Sequence, residues 1–252
     1  MKTIKDIIYA HDDEKAQRLD LLLPDGDEFY AVVFIHGGGL EAGDKDNDKG
    51  HFGHLLKSGY AVVAPNYRMY PSARYPDYIE DSAAAVAWAF KHLNDYGRCK
   101  GVFVGGSSAG GYISMMLCFD KRWLAPYGIS PTNVKGWLHV AGQPTCHFNY
   151  LAVERGINPN RVIVDETAPL YHVGADNEYS PMLFIVSDND MKNRYEQTML
   201  VLSTMKHFGH DDKTTLKTFK GTHCQYHNQS NEAGENLLGL AVVEFIKEVT
   251  KQ

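Results

Sequence analysis

Residues 104–115 read Val-Gly-Gly-Ser-Ser-Ala-Gly-Gly-Tyr-Ile-Ser-Met. Two serines sit between two pairs of glycines, after an apolar run and before a helix-like stretch. Within it, Gly106-Ser107-Ser108-Ala109-Gly110 fits the pattern G-x-S-x-G. On a strand-to-helix turn that pattern is tight and strained, and it lifts a serine hydroxyl above the sheet at the positive end of a helix. Ser108 holds the central position and is the candidate nucleophile; Ser107 fills an x position. Alone, the pattern also fits a glycine-rich turn that merely packs tightly or cradles a phosphate. No GK[ST] follows, which weakens the phosphate version. A second stretch, His36-Gly37-Gly38-Gly39, ends the apolar run "AVVFI". Acyl transfer needs N–H donors aimed at a developing oxyanion. Consecutive glycines let backbone approach a substrate, because no Cβ intervenes. The two stretches, in this order, point to a serine attacking an acyl carbon.

The elements around them are legible in outline. "RLDLLL" (18–23) and "AVVFIH" (31–36) flank "PDGDE" and predict a hairpin-like start. "YAVVAPNY" (60–67), "KGVFVGGS" (100–107), "KGWLHVAG" (135–142), "PMLFIVSD" (181–188) and "TTLKTFKG" (214–221) read as strands. Helices are predicted over 76–97, 109–119, 192–208 and 232–250; in the first, Ile79, Ala83, Val86, Ala87, Phe90 and Leu93 fall near a 3.6-residue period and Gly97 stops it. Continuous apolar strands between helices indicate an α/β fold with a mostly parallel sheet and helices on both faces. One α/β domain over 1–252 is expected. The irregular stretch 143–180 is an insertion in it, expected to lie over the sheet's carboxyl edge, where open α/β sheets bind ligands.

Composition narrows the function classes. The chain has 252 residues, 44% hydrophobic and 22% charged, as ordinary globular proteins do. Net charge is −6, without a basic cluster, so nucleic acid is not an expected partner. The N-terminus has neither a long apolar core nor a small-residue cleavage site, and no run of about 18 apolar residues occurs. A cytoplasmic location away from membranes is expected. Cys99, Cys118, Cys146 and Cys224 are widely spaced and read as reduced thiols. His51 and His54, and the group His223, Cys224 and His227, have spacings that can ligate zinc. Neither set has a CxxC or HExxH partner, so no metal is expected.

At the two glycine-rich stretches the chain resembles the α/β-hydrolase fold, and within it the small carboxylesterases of the acetyl-esterase and hormone-sensitive-lipase-like group. The resemblance extends through "RLDLLLP", "APNYR" (64–68), "YPDYIEDSAAAVAW" (75–88) and "GGSSAGG". It implies that the N–H groups of Gly38, Gly39 and Ala109 form the oxyanion hole and that His36 braces the glycine loop. It also implies a triad running Ser, then Asp or Glu, then His. The acid follows "PMLFIVS", where Asp188 and Asp190 are candidates and the family's turn favours Asp190. The other reading is that an aspartate there caps the next helix. The base follows the last strand, where His223 fits the family's Gly-then-His turn better than His227. The remaining histidines read as surface or packing residues. The chain departs from hormone-sensitive-lipase-like enzymes in having about 30 residues before the HGGG strand, too few for their N-terminal helical cap. The expected function is a cofactor-free serine hydrolase acting on a small ester with a short acyl chain, with acetylated sugars suggested by resemblance. An arylformamidase or peptidase is the rival within the same chemistry, and a non-catalytic binding protein the rival outside it. Oligomeric state is not legible.

Overall fold

The computed structural model of the protein describes residues 1–13, 15–47 and 49–251. Eight strands form one sheet: β1 (Lys2–Ile8), β2 (Arg18–Leu23), β3 (Glu28–Ile35), β4 (Tyr60–Pro65), β5 (Arg98–Ser107), β6 (Trp137–Val140), β7 (Met182–Ser187) and β8 (Thr214–Phe219). Their order is β1-β2-β4-β3-β5-β6-β7-β8. β1 and β2 run antiparallel to their neighbours; β4, β3 and β5 to β8 are mutually parallel. Helices are α1 (Lys49–Lys57), α2 (Asp77–His92), α3 (Ala109–Phe119), α4 (Phe148–Val153), α5 (Arg194–His207) and α6 (Leu237–Thr250).

Side-chain alternation in β3 explains the layering. Ala31, Val33 and Ile35 join the core beneath α2, α3 and α5. Val32 and Phe34 join the core beneath α1 and α6. A central strand apolar on both faces can only sit between two helical layers. Each fully buried aliphatic or aromatic side chain there contributes about 1.5–3 kcal/mol. This is the α/β-hydrolase fold expected from the sequence. No described helix is long and apolar enough to cross a membrane.

The predicted hairpin does not form. β4 lies between β2 and β3, pairing antiparallel with β2 (Leu22↔Val62) and parallel with β3 (Val32↔Val62). Two strand spacings are about 10 Å, a gap that the four-residue link 24–27 can span. Short connections therefore do not require adjacency, and β3, apolar on both faces, takes an interior place. The sequence also hid β1 and α1. α2 ends at His92, followed by a 3₁₀ turn at Leu93–Asp95, short of Gly97. α6 begins at Leu237 rather than 232, because the Asn231 side chain holds a turn through the N–H groups of Ala233 and Glu235. Asn236 then caps the helix, accepting from Gly239 N–H at 2.8 Å.

The segment 143–180 carries α4 and crosses the carboxyl ends of β3 and β6. Its Asn149 side chain donates to Gly39 O at 2.5 Å. Its Glu154 accepts from the Tyr70 hydroxyl and from Tyr75 N–H, the latter at 2.8 Å.

Candidate active site

The turn between β5 and α3 presents Ser108 at φ 52°, ψ −111°, a conformation that an L-residue adopts only under strain. Its neighbours show why the turn needs glycine. A Cβ on Gly110 would lie 2.0 Å from Ile35 O, and one on Gly106 would lie 2.5 Å from the same oxygen. The end of β3 thus presses directly on the turn. From the other side, Ser108 N–H donates to Val140 O, at the end of β6, at 2.8 Å.

The glycine loop after β3 is fixed in the same manner. Gly38 has φ +120°, and a Cβ there would lie 1.8 Å from Ala42 O. The His36 ring stacks on Tyr67 with centroids 4.4 Å apart, and its Nδ1 donates to Gly37 O at 2.6 Å. The Tyr67 hydroxyl donates back to His36 O at 3.1 Å. Ala109 is the first residue of α3, so its N–H has no partner within the helix. Among the described residues the N–H groups of Gly38 and Gly39 make no hydrogen bond.

The structure brings Ser108, His223 and Asp190 together. His223 Nε2 lies 2.8 Å from Ser108 Oγ, and His223 Nδ1 lies 2.5 Å from Asp190 Oδ1. The Asp190 side chain is fully buried. Burial alone would raise its pKa. The hydrogen bond and charge of His223, with the N–H groups of Met191 (2.7 Å) and Ser187 (3.3 Å), outweigh that and hold the carboxyl below the usual range.

The rival residues stand elsewhere. Asp188 Oδ1 accepts from Gly221 N–H at 2.9 Å, and Ser187 Oγ donates to Thr222 O at 2.7 Å. These bonds tie the loop after β7 to the loop after β8 and set the distance from Asp190 to His223. Neither aspartate caps α5; Asn193 occupies that place in a left-handed conformation, without a side-chain cap bond. The His227 ring packs against Tyr226 and His51, with centroids 5.3 and 5.8 Å away. Among the described residues no group of three or more His, Cys, Asp or Glu side chains is placed to hold a metal ion.

A cavity of about 570 Å³ lies between α4, the segment 159–161 and the start of α5. Phe148, whose ring would touch a Cβ on Gly39 at 3.5 Å, forms part of its wall. Met191, next to Asp190, forms another part. Tyr150, the other aromatic of that segment, packs against Tyr75 and Arg155 instead. Sequence reasoning missed Asn149 and Arg194. Asn149 holds the glycine loop after β3 from 110 positions away, and no local pattern signals such a contact.

Comparison with known proteins agrees with this architecture. Residues 19–124 match the BD-FAE family, and residues 75–252 match the prolyl oligopeptidase family. Carboxylic ester hydrolase LipN of Mycobacterium tuberculosis is 38% identical over 110 residues, which cover 42% of this chain and 29% of that protein. Probable carboxylic ester hydrolase LipM of the same organism is 28% identical over 208 residues, covering 71% of this chain and 47% of that one. The chain thus spans between 29% and 47% of the length of these two relatives. Esterase B from Lactobacillus Rhamnosis superposes with a TM-score of 0.81 at 19% identity, covering 100% of this chain and 86% of that one, a likeness of fold. The longer family match runs through the serine turn and the loops after β7 and β8 alike, and by it the chain belongs to the prolyl oligopeptidase family.

Proposed function

We propose that the protein is a serine hydrolase that cleaves short-chain carboxylic esters through an acyl-enzyme. The observation that carries this reading is the hydrogen-bonded series from Asp190 through His223 to Ser108, at 2.5 and 2.8 Å. Ser108 Oγ attacks the ester carbonyl while its proton passes to His223 Nε2. The C–O π pair moves to oxygen, and the N–H groups of Gly38, Gly39 and Ala109 receive the oxyanion. Ionised Asp190 fixes the Nδ1–H tautomer and stabilises the imidazolium. Collapse expels the alcohol, which takes the proton from Nε2. Water then repeats the sequence and releases the acid.

The mixed wall of the 570 Å³ cavity, with Phe148 and Met191 beside Gln143 and Asn160, supports a small, partly polar ester rather than a lipid. Acetylated sugars fall in that class. Labelling of the intact protein with a fluorophosphonate is the direct test. Ser108→Ala should abolish labelling and lower kcat by about 10³–10⁶, with the fold intact, while Ser107→Ala keeps both. Equal labelling of the two variants would remove Ser108 from its role. On p-nitrophenyl esters, kcat/KM should peak between acetate and butyrate, since each methylene that fits adds about 0.8 kcal/mol and each that does not is rejected. A profile still rising at octanoate would replace this reading with a lipase. The prolyl oligopeptidase match favours one rival, an amide hydrolase. Faster turnover of N-formyl aromatic amides than of acetate esters would establish it.

A further inference from the structure

Arg194 is 4% exposed, yet it lines the cavity walled by Phe148 and Met191. It donates to Ala141 O and, at 3.2 Å, to Gln143 Oε1. Those bonds use two of the five N–H groups of a guanidinium. Among the described residues no carboxylate stands within ion-pair distance of it. Asp190 acts on it through space, but the oxygens of Asp190 are engaged by His223, Met191 and Ser187.

Three general facts make this arrangement unusual. A buried charge is normally paired, because leaving it unpaired costs several kcal/mol. A lysine could shed its proton to avoid that cost, but arginine cannot. Arg194 is also the first residue of α5, a helix of 14 residues, so it stands at the positive end of the helix dipole.

The surroundings agree. Arg161 and Lys192, both exposed, stand on the rim of the same cavity, and Glu196 is the single acidic residue in its lining. Three cations against one anion is a local reversal in a chain of net charge −6. Neither Ser108 nor His223 lines the cavity, but three links join its lining to the candidate site. Phe148 abuts Gly39, Met191 follows Asp190, and Ala141, the anchor of Arg194, follows Val140, which holds Ser108 N–H.

We propose that this cavity binds a carboxylate carried by the substrate, with Arg194 at its floor and Arg161 and Lys192 at its rim, so that the preferred esters are anionic. The inference rests on the ester-hydrolase reading of Ser108 for what happens after binding, but not for the binding itself. A planar guanidinium with free N–H groups suits a carboxylate, which accepts two parallel hydrogen bonds. The carboxylate belongs either to the acyl half or to the alcohol half of the ester.

Two matched pairs of esters separate those sources and change little but charge. Monomethyl succinate against methyl butyrate places the carboxylate on the acyl half. Acetoxyacetate against propyl acetate places it on the alcohol half. Binding is measured by calorimetry on the Ser108→Ala protein, and turnover on the unaltered protein. The anionic member of one pair should bind about tenfold more tightly or better, and that preference should shrink between about 0.02 M and about 0.5 M salt. Arg194→Gln, which keeps a donor for Ala141 O, should remove the preference. Should that variant fold poorly, the double change Arg161→Ala and Lys192→Ala, at exposed positions, should still reduce it severalfold. If neither pair favours its anionic member, or no member binds measurably, the carboxylate site is wrong even if neutral esters are hydrolysed well. If an anionic member binds selectively and no ester is turned over, the site stands and the hydrolase reading falls.

Discussion

The two sides of the proposed reaction centre are held in different ways. On the nucleophile side backbone meets backbone: the Ile35 carbonyl presses on Gly106 and Gly110, and Val140 O holds Ser108 N–H. On the acid–base side, side chains join the backbone in tying one loop to another: Asn189 N–H donates to Gly221 O, and side-chain bonds link Asp188 to Gly221, Ser187 to Thr222 and Asp190 to His223. A steric contact between backbones offers no substitute arrangement. A hydrogen bond in a half-exposed loop contributes about 0.5–1.5 kcal/mol, and water can stand in for it. The first side should therefore be intolerant of any added atom, and the second tolerant wherever the chemistry itself is not touched.

The largest effect expected from this contrast is that of Gly110→Ala. Its Cβ would fall 2.0 Å from Ile35 O, and both backbones belong to the sheet and its turn. Overpacking of this kind costs about 1–3 kcal/mol or more. We expect a steep drop in Tm or no soluble folded protein; a variant with unchanged Tm would show that the turn yields after all. Next, Asp190→Asn should leave the fold in place and lower kcat by about 10⁴, because the amide no longer fixes the tautomer that Nε2 needs. Its neighbour separates loop architecture from chemistry. Asp188→Asn still offers an oxygen to Gly221 N–H, so kcat should change only severalfold. Equal losses in the two asparagine variants would mean that the inter-loop tie matters as much as the acid.

A last effect concerns acid stability, and it sharpens the same contrast. His139, hydrogen-bonded to Ser114 Oγ at 2.9 Å, and His147, whose Nδ1 accepts from Asn149 N–H at 3.2 Å, are both buried. Burial pushes each imidazole down to about 3, with Arg194 adding to the effect at His147. The unfolded chain takes up those protons near pH 6.5 and the folded chain does not. The stability they confer is thus complete above about pH 6.5 and is lost as pH falls towards about 3, at about 1.4 kcal/mol per pH unit for each histidine. Urea midpoints measured from pH 7 to pH 4 should fall accordingly. A flat profile would show that one or both rings gain access to water in the folded protein.

The same division explains what the sequence disclosed. The serine turn and the glycine loop were legible because backbone crowding demands glycine at fixed spacing, and fixed spacing survives in a one-dimensional string. Asp190 and His223 stand out only through the pattern of a resembling family, since nothing local distinguishes Asp190 from Asp188 until the Gly221 N–H occupies the latter. Asn149 and Arg194 were invisible because their partners lie 110 and 53 positions away. The hairpin expected at 18–36 failed for a related reason. Turn chemistry reports that the chain reverses, but not that β4, more than 20 residues later, will enter the gap.

The backbone angle at Ser108 has a consequence for the protein as a whole. At φ 52°, ψ −111° a side chain of any kind costs about 1–3 kcal/mol, and glycine alone avoids most of that strain. With Ser108 as the proposed nucleophile, stability and turnover would be in direct conflict at one Cβ. Ser108→Gly should be inert and yet melt at a higher temperature than Ser108→Ala, which loses the same hydroxyl but keeps the strained carbon. If the two inactive variants melt together, the strain is relieved elsewhere in the turn. If they differ as expected, selection for stability alone would drive this position towards glycine, and a serine persists there only while its reaction is needed.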